Sequence, residues 1–177
     1  MAADSPEGAG VEEGVLAFTD VIGFTEFTAV QGDEEALALV ARHEELLTKV
    51  LPARARVVKS LGDGFMLWFA DPPEALDALL SFQDELQLDD DSDWPLWVRI
   101  GAHWGRPLRR GDDLVGHDVN VAARILDVAG PGEVLASDVL RGEVDARRSG
   151  IEFHELGPVE MKGIPEPVSL YRVERCP

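Results

Sequence analysis

Two aspartates stand where carboxylates could do chemistry. Asp20 ends an apolar run, and the turn Val21-Ile22-Gly23 follows it directly. Asp63 sits at the tip of a second apolar segment, in Leu61-Gly62-Asp63-Gly64-Phe65. Carboxylates held at adjacent strand ends offer hard oxygen ligands, the kind that divalent cations take. Either aspartate alone could instead be a helix cap or a turn former. Their shared apolar flanks favour a common site. Between them, Ile22, Gly23, Phe24 and Thr25 open a helix. Backbone N–H groups at such an opening bind phosphate oxygens, and glycine allows a close approach.

These residues need elements to hold them. Residues 14–19 read as a buried strand that delivers Asp20. A short helix is expected after Gly23. A longer one follows, with Asp33 as N-cap and Leu39, Val40, His43, Leu46, Leu47 and Val50 at helical spacing, closed by Pro52. Residues 56–61 and 65–69 read as a hairpin around Gly62-Asp63-Gly64. Asp71-Pro72 is a cap and first-turn proline for a helix carrying Leu76, Leu79, Leu80 and Leu86. Then come a strand over 96–104, a polar basic connector over 105–113 and a helix over 120–128. A strand over 133–136 follows, then a short helix capped by Ser137 and strands near 151–154 and 168–174. The order is β-α-β-β-α-β, then α-β-α-β-β. It predicts an α/β (α+β) sandwich with a ferredoxin-like, palm-type βαββαβ core, a central antiparallel hairpin and C-terminal αβ additions. Residues 1–13 read as a disordered acidic tail, and 14–177 as one domain.

Other features read more plainly. The run Asp89-Asp90-Asp91-Ser92-Asp93 lacks the glycine and final glutamate of a calcium loop, so it reads as a solvated turn. The four histidines are not spaced as a metal cluster, and His43, on an apolar helix face, reads as core. Asp118 reads as a helix N-cap, and His117 beside it has no assigned role. Trp94, Trp97 and Trp104 read as core or interface.

Composition bounds the function. The chain has 177 residues, with 34 Asp and Glu against 16 Lys and Arg, a net charge of −18. Such a surface repels nucleic acid and anionic membranes. The single cysteine, Cys176, excludes an internal disulfide framework and a cysteine metal cluster. No apolar stretch approaches the roughly 18 residues of a membrane span. Nothing at the N-terminus resembles a signal peptide, so the expected location is the cytoplasm.

Three segments in order, FTDVIGFT, VKSLGDGF and GDDLVGHDVNVAAR, with a closing VEMKGIPEPVSLYRV, carry a family resemblance. From about Val15 to Glu174 the chain resembles the class III nucleotidyl cyclase catalytic domain. The resemblance implies a site shared across a head-to-tail dimer. One half would contribute Asp20 and Asp63 as metal ligands, with the Val21 carbonyl, for two divalent ions (Mg²⁺ or Mn²⁺). Ile22, Gly23, Phe24 and Thr25 would cradle phosphates, and Arg99 would contact them. The other half would contribute Lys59 and Asp113 to read the base. Asn120 would orient the ribose, Arg124 would stabilise the transition state, and Lys162 would reach the terminal phosphates.

The implied base follows from the pair. Adenine presents an amino donor and a ring-nitrogen acceptor on one edge, which a carboxylate and an ammonium complement. Guanine presents a carbonyl and a protonated nitrogen there. Guanylyl members commonly carry Glu and Cys at these places, so Lys59 and Asp113 point to ATP. The implied activity is adenylate cyclase, making 3′,5′-cyclic AMP and pyrophosphate as a homodimer. A guanylate cyclase and a non-catalytic nucleotide-binding or regulatory module stay open as alternatives.

Overall fold

Strand β1 (Gly14–Val21) is buried along almost its whole length. It is buried because both of its faces are covered, so its sequence is a continuous apolar run rather than an alternating one. Val15, Ala17 and Val21 point into one cluster, while Leu16 and Phe18 point into another. By the same alternation Thr19 faces with the first set and Asp20 with the second.

The computed structural model describes residues 10–89, 96–144 and 150–176. After β1 come α1 (Phe24–Gln31), α2 (Asp33–Val50), β2 (Arg56–Leu61), β3 (Gly64–Phe69), α3 (Pro72–Leu88) and β4 (Val98–Gly105). A small hairpin follows, β5 (Leu108–Arg110) and β6 (Asp113–Val115), then α4 (His117–Val128), β7 (Val134–Ser137) and α5 (Asp138–Gly142). Strands β8 (Ile151–Val159) and β9 (Val168–Arg175) close the fold.

The main sheet has seven strands in the order β2-β3-β1-β4-β7-β9-β8. Its first four strands run in the ferredoxin-like order expected of a βαββαβ core. Helices α2 and α3 cover one face, with Leu46, Leu47, Leu76, Leu79 and Phe82 at most 4% exposed. Helix α4 covers the other face through Val121, Ala122 and Ile125. Full burial of one such apolar side chain contributes about 1.5–3 kcal/mol, so these two layers hold the sheet. Helix α1 buries no residue fully; its first residue, Phe24, packs partly buried against the main cluster.

The strands and helices stand where the residues predict, with local differences. Gly32, at φ 94°, takes the N-cap of α2, and Asp33 joins Glu34 and Glu35 in the first turn, where the helix dipole favours acid. Gly116 takes the N-cap of α4, so that helix begins at His117 instead of Asn120. Asp118 is therefore inside the helix and not its cap. Its carboxylate accepts from the Arg106 N–H at 2.7 Å. Asp71 caps α3 as predicted, accepting from the Glu74 N–H at 2.9 Å. The 105–113 connector holds the β5–β6 hairpin. Val11 bridges to Leu108, the Arg109 N–H bonds the Gly10 carbonyl, and Glu12 pairs with Arg56 at 2.6 Å. Residues 10–12, expected in the tail, thus lie against this hairpin. The acidic run beyond Asp89, with Trp94, falls outside the described residues. Among the described residues no helix is long and apolar enough to cross a membrane.

Candidate active site

The end of β1 and the tip of the β2–β3 hairpin bring Asp20 and Asp63 together. Gly64 makes this approach possible: a Cβ there would stand 2.1 Å from the Thr19 carbonyl oxygen. The Asp63 carboxyl is pushed above its ordinary pKa, first by burial and then by the charge of Asp20 and a hydrogen bond with it. Backbone N–H groups of Asp63 and Val21 pull the other way. Two carboxylates this close disfavour each other's ionisation, and a cation between them relieves that cost.

The donor set fits a hard cation. Asp20 and Asp63 would supply carboxylate oxygens, and Val21, whose backbone N–H bonds the Asp63 carboxyl, would add its carbonyl. Among the described residues no group of three or more His, Cys, Asp or Glu is placed to hold a metal. Substrate oxygens and water would complete the shell, as Mg²⁺ commonly requires.

Arg99 also meets Asp20. The two are register partners on β4 and β1. Nε and Nη2 of Arg99 donate to Asp20 Oδ2 at 2.9 and 2.7 Å. The expected phosphate arginine is therefore paired with the expected metal-binding aspartate, and both side chains are about a quarter exposed. Next to it, Gly23 adopts φ 74° and caps α1 without any side-chain hydrogen bond. Phe24 and Thr25 are the first residues of that helix, and Ile22 donates its N–H to the Trp97 carbonyl at 2.8 Å. An apolar cavity of about 420 Å³ lies beside this turn, lined by Val21, Ile22, Phe27, Leu39 and Trp97 among others. Its walls do not suit a triphosphate, and neither Asp20 nor Asp63 lines it.

Lys59 and Asp113 meet although 54 residues separate them. Lys59 Nζ donates to both carboxylate oxygens of Asp113, at 2.8 and 2.9 Å. The Asp113 pKa is lowered, chiefly by that hydrogen bond. Leu114 fixes the strand beneath, buried with Phe18, Met66 and Ala122. Asn120 and Arg124 lie one turn apart on α4. Asn120 is exposed. Arg124 Nη1 donates to Asp127 at 2.9 Å on its own helix. Lys162 is exposed in the connection between β8 and β9. One chain thus gathers Asp20, Asp63 and Arg99 in one group and Lys59 with Asp113 in another. Asn120, Arg124 and Lys162 bond to neither group.

Sequence reasoning missed the support beneath the aspartates. His43 is core as expected, fully buried, but it is not inert. Its ring bonds Thr19 Oγ1 and the Asp63 carbonyl, each at 3.1 Å. Burial drives its pKa down to about 4. A buried polar ring on an apolar helix face must find partners, and that was the available signal. Burial also lowers the His103 pKa, against the pull of nearby Asp118, and Ser137 Oγ lies 2.7 Å from its Nδ1.

A family model described as the adenylate and guanylate cyclase catalytic domain matches residues 10–175. The pH-sensitive adenylate cyclase of Mycobacterium tuberculosis is 34% identical over 168 residues, which are 94% of this chain and 42% of that protein. Putative adenylate cyclase 3 of Rhizobium meliloti is 30% identical over 156 residues, 86% of this chain and 26% of that protein. The chain therefore spans less than half the length of these curated relatives. Among solved structures, the adenylyl cyclase CyaB from P. aeruginosa superposes with a TM-score of 0.84 at 20% identity. That match covers 96% of this chain and 97% of that one.

Proposed function

The chain belongs to the adenylate and guanylate cyclase catalytic domain family, and on that premise we propose that it is an adenylate cyclase. The reaction is ATP to 3′,5′-cyclic AMP and pyrophosphate, at two sites shared by a head-to-tail homodimer. The observation that carries the choice of base is the Lys59–Asp113 pair, 2.8–2.9 Å apart. An ammonium donor and a carboxylate acceptor side by side complement the edge of adenine and mismatch that of guanine.

The residues divide the work. Asp20 and Asp63, with the Val21 carbonyl, hold the divalent ions. Bound there, the ions would activate the ribose 3′-oxygen and stabilise the leaving pyrophosphate. The N–H groups at the α1 opening, from Ile22, Gly23, Phe24 and Thr25, receive phosphate oxygens. Arg99 neutralises phosphate charge from the same side. On the partner's half, Lys59 and Asp113 hold the base, and Asn120 orients the ribose. Arg124 donates to the α-phosphate as charge gathers in the transition state. Lys162 meets the terminal phosphates.

Lys59 and Asp63 are four residues apart on one hairpin, yet they serve opposite ends of the nucleotide. Each site therefore takes them from different chains. Incubation with ATP or GTP plus Mn²⁺, scored for both cyclic nucleotides, tests the proposal. Cyclic AMP in excess is the expected result. Faster GTP turnover would overturn the base assignment, and no cyclic product with either would overturn the enzyme reading.

A further inference from the structure

His43 comes from the middle of α2, on the sheet face opposite the base-reading pair. Its Nδ1 lies 3.1 Å from the Asp63 carbonyl oxygen. A carbonyl only accepts, so Nδ1 carries the hydrogen. Nε2 of the neutral ring, 3.1 Å from Thr19 Oγ1, then accepts from that hydroxyl. Thr19 Oγ1 in turn accepts from the Phe65 N–H at 3.2 Å. Every bond in this chain has a set direction. Thr19 precedes Asp20, and Phe65 lies two residues after Asp63. One ring thus ties the strand end carrying one carboxylate to the turn carrying the other.

The ring is held in plane as well. It stacks on Phe82 at 5.3 Å and 13°, and meets Phe65 edge-on at 4.9 Å and 88°. A phenylalanine or leucine could fill this volume without burying two ring nitrogens. The nitrogens are useful only through what they bond.

Resting on the reading of Asp20 and Asp63 as metal ligands, we propose that His43 is a positioning residue. Through Thr19 and the Asp63 carbonyl it sets the spacing of the two carboxylates, and so the affinity of the site for divalent ions. Substitution of groups that orient ligands from behind typically costs about 10–100-fold in metal affinity.

The test uses the full chain, Mn²⁺ and 3′-deoxy-ATP, which lacks the attacking hydroxyl. Bound Mn²⁺ is read by electron paramagnetic resonance, and folding by circular dichroism. His43→Phe keeps the ring and loses both bonds. It should weaken Mn²⁺ binding about tenfold or more. His43→Gln, whose amide offers one donor and one acceptor, should restore most of the affinity. Wild-type affinity in folded His43→Phe overturns the proposal, as does a His43→Gln variant no better than His43→Phe. If His43→Phe does not fold, Thr19→Val decides in the same assay, since it removes the hydroxyl that links His43 to the Phe65 N–H with little change in volume. Unchanged affinity there also overturns the proposal. No Mn²⁺ binding by the wild type would instead sink the metal reading itself.

Discussion

Arg124 spends its free state on a weak partner. Its pair with Asp127 is about half exposed on both sides and three residues apart on one helix, a class worth about 0.3–0.5 kcal/mol. A phosphate accumulating charge in a closed site outcompetes that easily. Arg124→Ala should therefore lower kcat by about 10²–10³, the usual cost of losing such a donor. Its melting temperature should stay near wild type. Asp127→Ala, measured alongside, should leave kcat almost unchanged. A large loss in Asp127→Ala would mean that the pair orients Arg124. Lys59 differs: both of its bonds go to Asp113, whose pKa they lower. The combined change Lys59→Glu with Asp113→Cys should reduce ATP turnover and raise the GTP-to-ATP ratio, read by product analysis. An undiminished preference for ATP would remove the pair from base selection. Lys59, Asp113 and Arg124 stood out as candidates in the sequence through their neighbours. The resemblance named Lys59 and Asp113 together, but their direct hydrogen bonds were not legible, because a separation of 54 residues closes only through the topology.

Elements were legible where a local signal was strong. Gly62-Asp63-Gly64 marked the β2–β3 hairpin, and Asp71-Pro72 marked the start of α3. The starts of α2 and α4 were misplaced because glycines took the cap positions, where a polar side chain was expected. Helix α2 illustrates the deeper limit. Its apolar stripe identified His43 as core, but the groups that His43 serves come from β1 and the hairpin turn. This arrangement has a pH signature. The folded pKa of His43 lies at about 4, below the ordinary 6.5, so between those values the unfolded chain binds more protons. The stability that neutral His43 contributes is complete above about pH 6.5 and is lost as pH falls toward 4. Between pH 6.5 and 5 the loss should be about 2 kcal/mol, at 1.36 kcal/mol per unit. His103, also lowered by burial, adds in the same direction. Asp63 opposes them, because its raised pKa favours the folded state as pH falls. Urea unfolding at pH 7 and pH 5 measures the sum. His43→Phe should flatten the slope without abolishing it, and an equal slope in that variant would remove His43 from the account.

At the scale of the molecule, charge and symmetry pull in different directions. A dimer of chains each carrying −18 has a net charge of −36, so its long-range field repels ATP. On the proposed reading, attraction would be local, from Lys59, Arg99, Arg124 and Lys162 together with cations that Asp20 and Asp63 would hold. Added salt screens the repulsion as well as the attraction. The Michaelis constant for ATP should therefore rise only weakly with ionic strength, and a steep rise would mean that long-range steering dominates. Symmetry permits a sharper test. In one chain Arg124 pairs within its own helix, and neither it nor Asn120 bonds to Asp20 or Asp63. If two chains complete each site, Asp20→Ala and Asn120→Ala damage opposite halves. Each variant alone should be nearly inactive, since both of its sites carry the lesion. In a mixed dimer the two lesions fall together in one site and leave the other intact. Equal mixing with free exchange makes about half the dimers mixed, each with one working site. Activity should recover to about one quarter of wild type, tracked as cyclic AMP formed after mixing. The recovery should depend on the ratio of the two variants and peak at equal amounts. No recovery, with subunit exchange verified by a labelled chain, would mean that each chain works through its own residues alone.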